Sequence, residues 1–174
     1  MSPQGSVRPD PAVGLLELYD EALPHVYGYL LARCRDKTLA EDLTAESFLA
    51  AVRAVREPGA AAPSVAWLIG VARHKLADHW RRTAREERGL RLLDLDRDRK
   101  VEDPWDAQLD AIRARQVLDG LGSHHRAALT LRYLDGLPVN DVARCLDRTV
   151  HATEALLVRA RTAFRRSYRE EDSP

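Results

Sequence analysis

The chain has 174 residues, and its 27 Lys+Arg balance its 27 Asp+Glu to a formal net charge of zero, which excludes a uniformly basic polycation and an acidic tail-like chain. Hydrophobic residues at 45 % and aromatics at 6 % allow one ordinary domain or two small ones around an aliphatic core. Cys34 and Cys145 are far apart, with no CxxC spacing and no histidine pair in metal register, so neither a disulfide framework nor a metal site is expected.

The first eleven residues lack the apolar core of a signal peptide. No stretch approaches the ~18 continuous apolar residues of a membrane span, and a cytoplasmic chain without a membrane span is expected. Residues 1–12 read as a disordered tail. Leu15, Leu16, Leu18, Tyr19, Ala22 and Leu23 then form a helical stripe that resumes after Pro24 with Val26, Tyr27, Leu30 and Leu31, so Pro24 marks a kink or a restart. A second helix carries Leu39, Leu43, Phe48, Leu49, Val52 and Val55 and stops before Glu57-Pro58-Gly59.

Ser64 is placed to cap a long third helix carrying Trp67, Leu68, Val71, Leu76 and Trp80. From Arg73 to Arg91 that helix holds seven basic residues against three acids. Basic residues interleaved with Trp67, His74, His79 and Trp80 suit a surface that holds unstacked single-stranded bases; the plainer reading puts both tryptophans in the core and the arginines in solvent. His74 and His79 do not share a helical face, and no nucleophile motif accompanies Asp78, so metal and hydrolase chemistry are not expected.

Residues 92–106 mix acids with Arg97, Arg99 and Lys100, and Pro104 breaks any helix; they read as a flexible tether. The remainder, 107–170, holds three or four short helices punctuated at Gly120-Leu-Gly122-Ser123, Asp135-Gly136-Leu-Pro138 and Asp147-Arg148-Thr149. The fold class is therefore all-α: two small helical domains, 13–91 and 107–170, joined by a linker.

Val139 to Leu157 has the logic of a helix-turn-helix. Val142, Leu146 and Leu157 supply apolar contacts, Ala143 is small where the helices approach, and Asp147 occupies the left-handed turn. Thr149 caps a recognition helix whose His151, Ala152, Glu154 and Ala155 face a major groove. Glu154 has the chemistry to accept from cytosine N4, and Leu156 reads as an outward residue. Arg159, Arg161, Arg165, Arg166 and Arg169 follow without an acid, as a phosphate-contacting stripe requires. The alternative is an ordinary helical bundle with a solvated arginine face.

Three segments in order carry a resemblance that spans about Leu15 to Arg169: AEDLTAESFLAAV (Ala40 to Val52), AWLIGVARHKLADHWRR (Ala66 to Arg82) and LRYLDGLPVNDVARCLDRTVHATEALLVRARTAFRR (Leu131 to Arg166). With them the chain resembles the bacterial RNA polymerase sigma factors of the extracytoplasmic-function (ECF) group, small members with regions 2 and 4. The resemblance implies a non-enzymatic initiation factor with no cofactor. Its partners would be core RNA polymerase, through the β′ clamp helices and the β flap, promoter DNA, and an anti-sigma factor.

It implies that Glu41, Asp42 and Glu46 dock on the clamp helices, in a segment from Asp36 to Glu46 with four acids and only Lys37 against them. Pro63, Ser64, Arg73, His74, Lys75, Asp78, His79, Arg81 and Arg82 would bind the −10 element, with a base flipped from the non-template strand into the loop Glu57 to Ser64. Thr149, His151, Ala152, Glu154, Ala155, Arg159, Arg161 and Arg165 would bind the −35 element. The chain departs from the family pattern at His74 (usually Asn), Ala45 (usually Gln), Pro138 (often Ser), and Glu154 and Leu156 (usually basic). The rival readings are a free-standing helix-turn-helix regulator and an enzyme or metal protein using His74, His79, His124 and His125.

Overall fold

A computed structural model describes residues 11–57, 62–90 and 111–170. The expected tether, 92–106, and the first ten residues lie outside the described residues. Within them every regular element is helical: α1 (Pro11–Cys34), α2 (Lys37–Ala54), α3 (Val65–Leu90), α4 (Ala111–Gly120), α5 (Ser123–Leu129), a π-helical turn (Thr130–Leu134), α6 (Val139–Cys145) and α7 (Val150–Glu170). The chain forms two compact units, residues 1–76 and 77–174, so the division falls inside α3.

In the first unit, α1 begins at Pro11 and runs through Pro24 without a break. Proline is favoured at the first helical position because its missing N–H would be unbonded there anyway. The expected restart at Pro24 does not occur: Ala22, Val26, Leu30 and Cys34, four residues apart, form one buried stripe on both sides of it. Fully burying an aliphatic side chain such as Leu30 contributes ~2 kcal/mol, enough for one continuous buried face to tolerate one missing backbone bond.

Arg35 adopts φ 53°, and the next residue, Asp36, caps α2 by accepting from the Leu39 N–H at 3.0 Å. The buried face of α2 is Ala40, Leu43, Thr44, Ser47, Phe48 and Ala51. Leu49 is 54 % exposed, one residue off this stripe. The Thr44 and Ser47 hydroxyls donate to the carbonyls of Ala40 and Leu43 at 2.6 and 2.7 Å, which lets polar side chains occupy a helix–helix contact. Tyr19 of α1 meets Phe48 with ring centroids 4.7 Å apart.

Ser64 caps α3 as expected, its Oγ accepting from the Trp67 N–H at 3.2 Å. Trp80 is buried, but Trp67 is 40 % exposed, which corrects the expectation that both tryptophans are core. The buried stripe of α3 runs through Leu68, Ala72, Leu76, Trp80 and Ala84 at intervals of four. Trp67 precedes it by one residue, about 100° around the helix.

In the second unit, Val117, Leu121, Leu129, Ala160 and Phe164 form a core flanked by Ala114, Leu118, Ala163 and Tyr168. Phe164 and Tyr168 stack at 5.9 Å, and the Arg113 guanidinium lies 4.2 Å over the Tyr168 ring. The expected helix-turn-helix is present as α6, a tight turn and α7. Asp147 takes φ 53°; its N–H donates to the Arg144 carbonyl at 3.3 Å and the Arg148 N–H to the Ala143 carbonyl at 3.0 Å. That pair of bonds closes α6 as a Schellman cap. Gly136, at φ 67°, serves the preceding turn, where positive φ costs glycine little.

Candidate functional site

Glu41, Asp42 and Glu46 are all exposed on α2. Their electrostatic situations differ. Glu41 pairs with Lys37 at 3.7 Å and Glu46 with Lys75 at 3.0 Å, whereas Asp42 makes no ion pair among the described residues. The contact to Lys75 joins two expected sites, because Lys75 belongs to the set read as −10-binding.

The rest of that set lies along and just before α3. Pro63 is half-buried, and the Ser64 hydroxyl is committed to capping. His74, Asp78 and Arg82 are exposed, and Arg73 and His79 half-buried. Arg81 bonds Asp78 one turn back and reaches Asp147 of the helix-turn-helix at 3.4 Å. Arg82 carries no such partner among the described residues, so its charge is the more available of the two.

In the helix-turn-helix the Thr149 Oγ1 accepts from the Ala152 N–H at 3.1 Å, the cap expected of it. His151 and Glu154 are exposed, Ala152 and Ala155 half-buried. Leu156 is 1 % exposed, which overturns the expectation that it faces outward. It falls on the stripe Thr153, Leu156, Leu157, Ala160 and Phe164 that seats α7. A buried leucine here replaces no groove contact. Arg159 and Arg161 are half-buried, and Arg161 donates to the Tyr133 hydroxyl at 3.3 Å. Burial and then Arg169 lower the pKa of Arg165, and burial, Arg88 and Arg159, in that order, lower that of Arg148.

Several residues outside the expected sets take part. Glu87 accepts from the Ser123 Oγ at 2.7 Å and from its N–H at 3.2 Å. His124 stacks on His125 at 4.3 Å, and its pKa falls from 6.5 to about 4 through burial, then His125, Arg88 and Arg148. Gly122-Ser123 reads in sequence only as punctuation, and nothing in the local pattern places it against Glu87. Cys34 and Cys145 are buried thiols. No described helix is long and apolar enough to cross a membrane.

The described residues thus form an all-helical chain with exposed acids on α2, an arginine-bearing α3 and a capped helix-turn-helix. The family model for sigma-70 region 2 matches residues 18–86. ECF RNA polymerase sigma factor SigC of Mycobacterium tuberculosis (strain CDC 1551) is 31 % identical over 155 residues, 86 % of this chain and 80 % of that one. SigM of Bacillus subtilis is 27 % identical over 156 residues, 87 % and 93 % of the two chains. BldN of Streptomyces coelicolor is 32 % identical over 153 residues, 82 % of this chain, which spans 56 % of that longer protein. The solved sigma factor RpoE of Bartonella quintana, in complex with the anti-sigma factor NepR, superimposes with a TM-score of 0.51 at 18 % identity, over 90 % of this chain and 97 % of that one; it shares the fold. The chain belongs to the ECF sigma factors of bacterial RNA polymerase.

Proposed function

We propose that the chain binds core RNA polymerase through the exposed α2 face around Asp42, Glu41 and Glu46, and places promoter DNA on two surfaces, with no catalytic step, metal or cofactor of its own. The β′ clamp helices receive the acidic face, and the β flap receives the domain of residues 107–170. Arg73, His74, Lys75, Asp78, His79, Arg81 and Arg82 of α3, with Pro63 and Ser64 ahead of them, meet the single-stranded −10 element. Thr149, His151, Ala152, Glu154, Ala155, Arg159, Arg161 and Arg165 meet the −35 duplex.

The observation that carries this reading is the helix-turn-helix. Asp147 at φ 53° and the Thr149 cap turn His151 and Glu154 outward on the first turns of α7, where a recognition helix reads base edges. Linking this contact to a second one through residues 92–106 raises the effective concentration of each. The protein works in the cytoplasm, where its polymerase is, and an anti-sigma factor covers these surfaces when the factor is off.

An electrophoretic shift with and without core polymerase tests the proposal. Specific promoter binding is expected only with core enzyme. Tight, specific duplex binding by the chain alone would establish a free-standing regulator instead.

A further inference from the structure

A cavity of about 530 Å³ lies wholly within the second unit, lined by Trp80, Ala84, Ala127, Leu146 and Leu156 as an apolar floor and by Arg81, Arg85, Arg88, His124, Asp147 and Arg148 as walls. Its cations come from two places, Arg81, Arg85 and Arg88 on α3 and Arg148 in the turn before α7; His124 on α5, neutral at neutral pH, adds a polar imidazole. The single acid in the lining, Asp147, is 86 % exposed and engaged by Arg81. Nearby Glu87 is held by Ser123. Arg85, Arg88 and Arg148 have no carboxylate partner among the described residues. Arg88 spends one donor, Nε, on the Ala84 carbonyl at 3.0 Å, leaving its terminal nitrogens available.

Two polar atoms of these residues, Arg81 Nε and His124 Nδ1, are buried without a hydrogen-bond partner, an arrangement native structures seldom leave uncompensated. The arginines also crowd one another: Arg88 and Arg159 act on Arg148, and Arg88 and Arg148, after burial and His125, disfavour a charge on His124. Gathering like charges around a concave, partly desolvated space opposes folding unless an anion occupies it. Arginine forks match phosphate oxygens bidentately.

We propose that this cavity is a binding site for a compact oligophosphate, free or as the di- or triphosphate of a nucleotide, held by Arg85, Arg88 and Arg148 with His124. A volume of about 530 Å³ suits a ligand the size of a compact oligophosphate. An occupied site ties the C-terminal half of α3 to the turn that carries the recognition helix. The cavity shares Arg81 with the −10 set, whereas Arg85, Arg88, Arg148 and His124 belong to neither of the DNA-binding sets proposed above.

Isothermal titration of the full chain with inorganic tripolyphosphate at low salt tests it. One saturable site is expected, weakened about a hundredfold in Arg88→Gln/Arg148→Gln, at about tenfold for each lost charge-assisted contact. Arg53→Gln/Arg56→Gln, which removes the same charge from the end of α2, should leave affinity unchanged. If the first double variant does not melt like the parent, Arg85→Gln, at an exposed position, is expected to weaken binding several-fold without unfolding. Absence of saturable binding, or an equal loss in both double variants, overturns the proposal. So does displacement of tripolyphosphate by a twelve-nucleotide oligodeoxythymidine at equal phosphate concentration, which would assign the arginines to the DNA backbone.

Discussion

Glu87 of α3 holds Ser123 at the start of α5 through both oxygens, 2.7 Å to the hydroxyl and 3.2 Å to the backbone N–H. Gly122, the residue in the capping position, offers no side chain to do this, so the carboxylate comes from a distant helix and performs the task of a local cap. Glu87→Ala should destabilise the chain by ~1–2 kcal/mol. Ser123→Ala, which keeps the N–H contact, should cost less. Chemical denaturation of both variants and the double variant checks this, and purely additive losses would rule out the contact.

Asp42→Arg should weaken core-polymerase binding at least tenfold at an unchanged melting temperature. The residue is exposed and makes no ion pair among the described residues, so little else there depends on its charge, and a clamp-facing position would turn attraction into repulsion. Lys75→Ala should not weaken core binding, because it frees the Glu46 carboxylate from its 3.0 Å pair. A pull-down titration against core enzyme distinguishes them; equal affinities for Asp42→Arg and the parent would remove α2 from the interface.

Leu156→Ala and Glu154→Ala, two residues apart, should behave oppositely. Leu156 is 1 % exposed, and truncating such a leucine typically costs ~2–5 kcal/mol; the effect should appear in the melting curve. Glu154→Ala and His151→Ala should leave stability within ~0.5 kcal/mol, as exposed substitutions usually do, and change which −35 sequences the holoenzyme selects. A promoter-library run-off assay and a thermal melt, read together, separate the two effects.

The contrast at Leu156 marks where sequence reading reached and where it stopped. Helical periodicity, the Ser64 and Thr149 caps and the Asp147 turn were all legible, because each depends on a few neighbouring residues. Leu156 and Trp67 were misassigned because burial depends on which neighbour meets the helix: a shift of one residue turns a side chain by about 100°. Of the kink or restart read at Pro24, the restart does not occur, because a buried stripe continuing past it outweighs the local breaker rule. The Glu87–Ser123 contact spans 36 residues, and Arg81 reaches Asp147; periodicity carries no information on such pairs.

Thr130 should tolerate valine. Its side chain is 1 % exposed, and its Oγ1 is buried without a hydrogen-bond partner. Thr130→Val keeps the shape and removes the unsatisfied oxygen, so stability should rise by about 1 kcal/mol. A loss of that size in denaturation experiments would mean that the hydroxyl has a bonding role.

Acid should weaken the second unit through His124, whose pKa in the fold is about 4 against an ordinary 6.5. Burial is the main cause, followed by His125, Arg88 and Arg148, with Glu87 opposing them. Because the unfolded chain takes up this proton more readily, stability is greatest above pH 6.5, declines as pH falls from there toward 4, and bears the full penalty below. Solvent screening at a half-buried ring reduces the effect at pH 5 to ~1 kcal/mol. Urea unfolding of the parent and of His124→Gln at pH 7 and pH 5 measures it: the parent should lose about that much more than the variant between the two pH values. Equal losses would place the acid sensitivity on other groups.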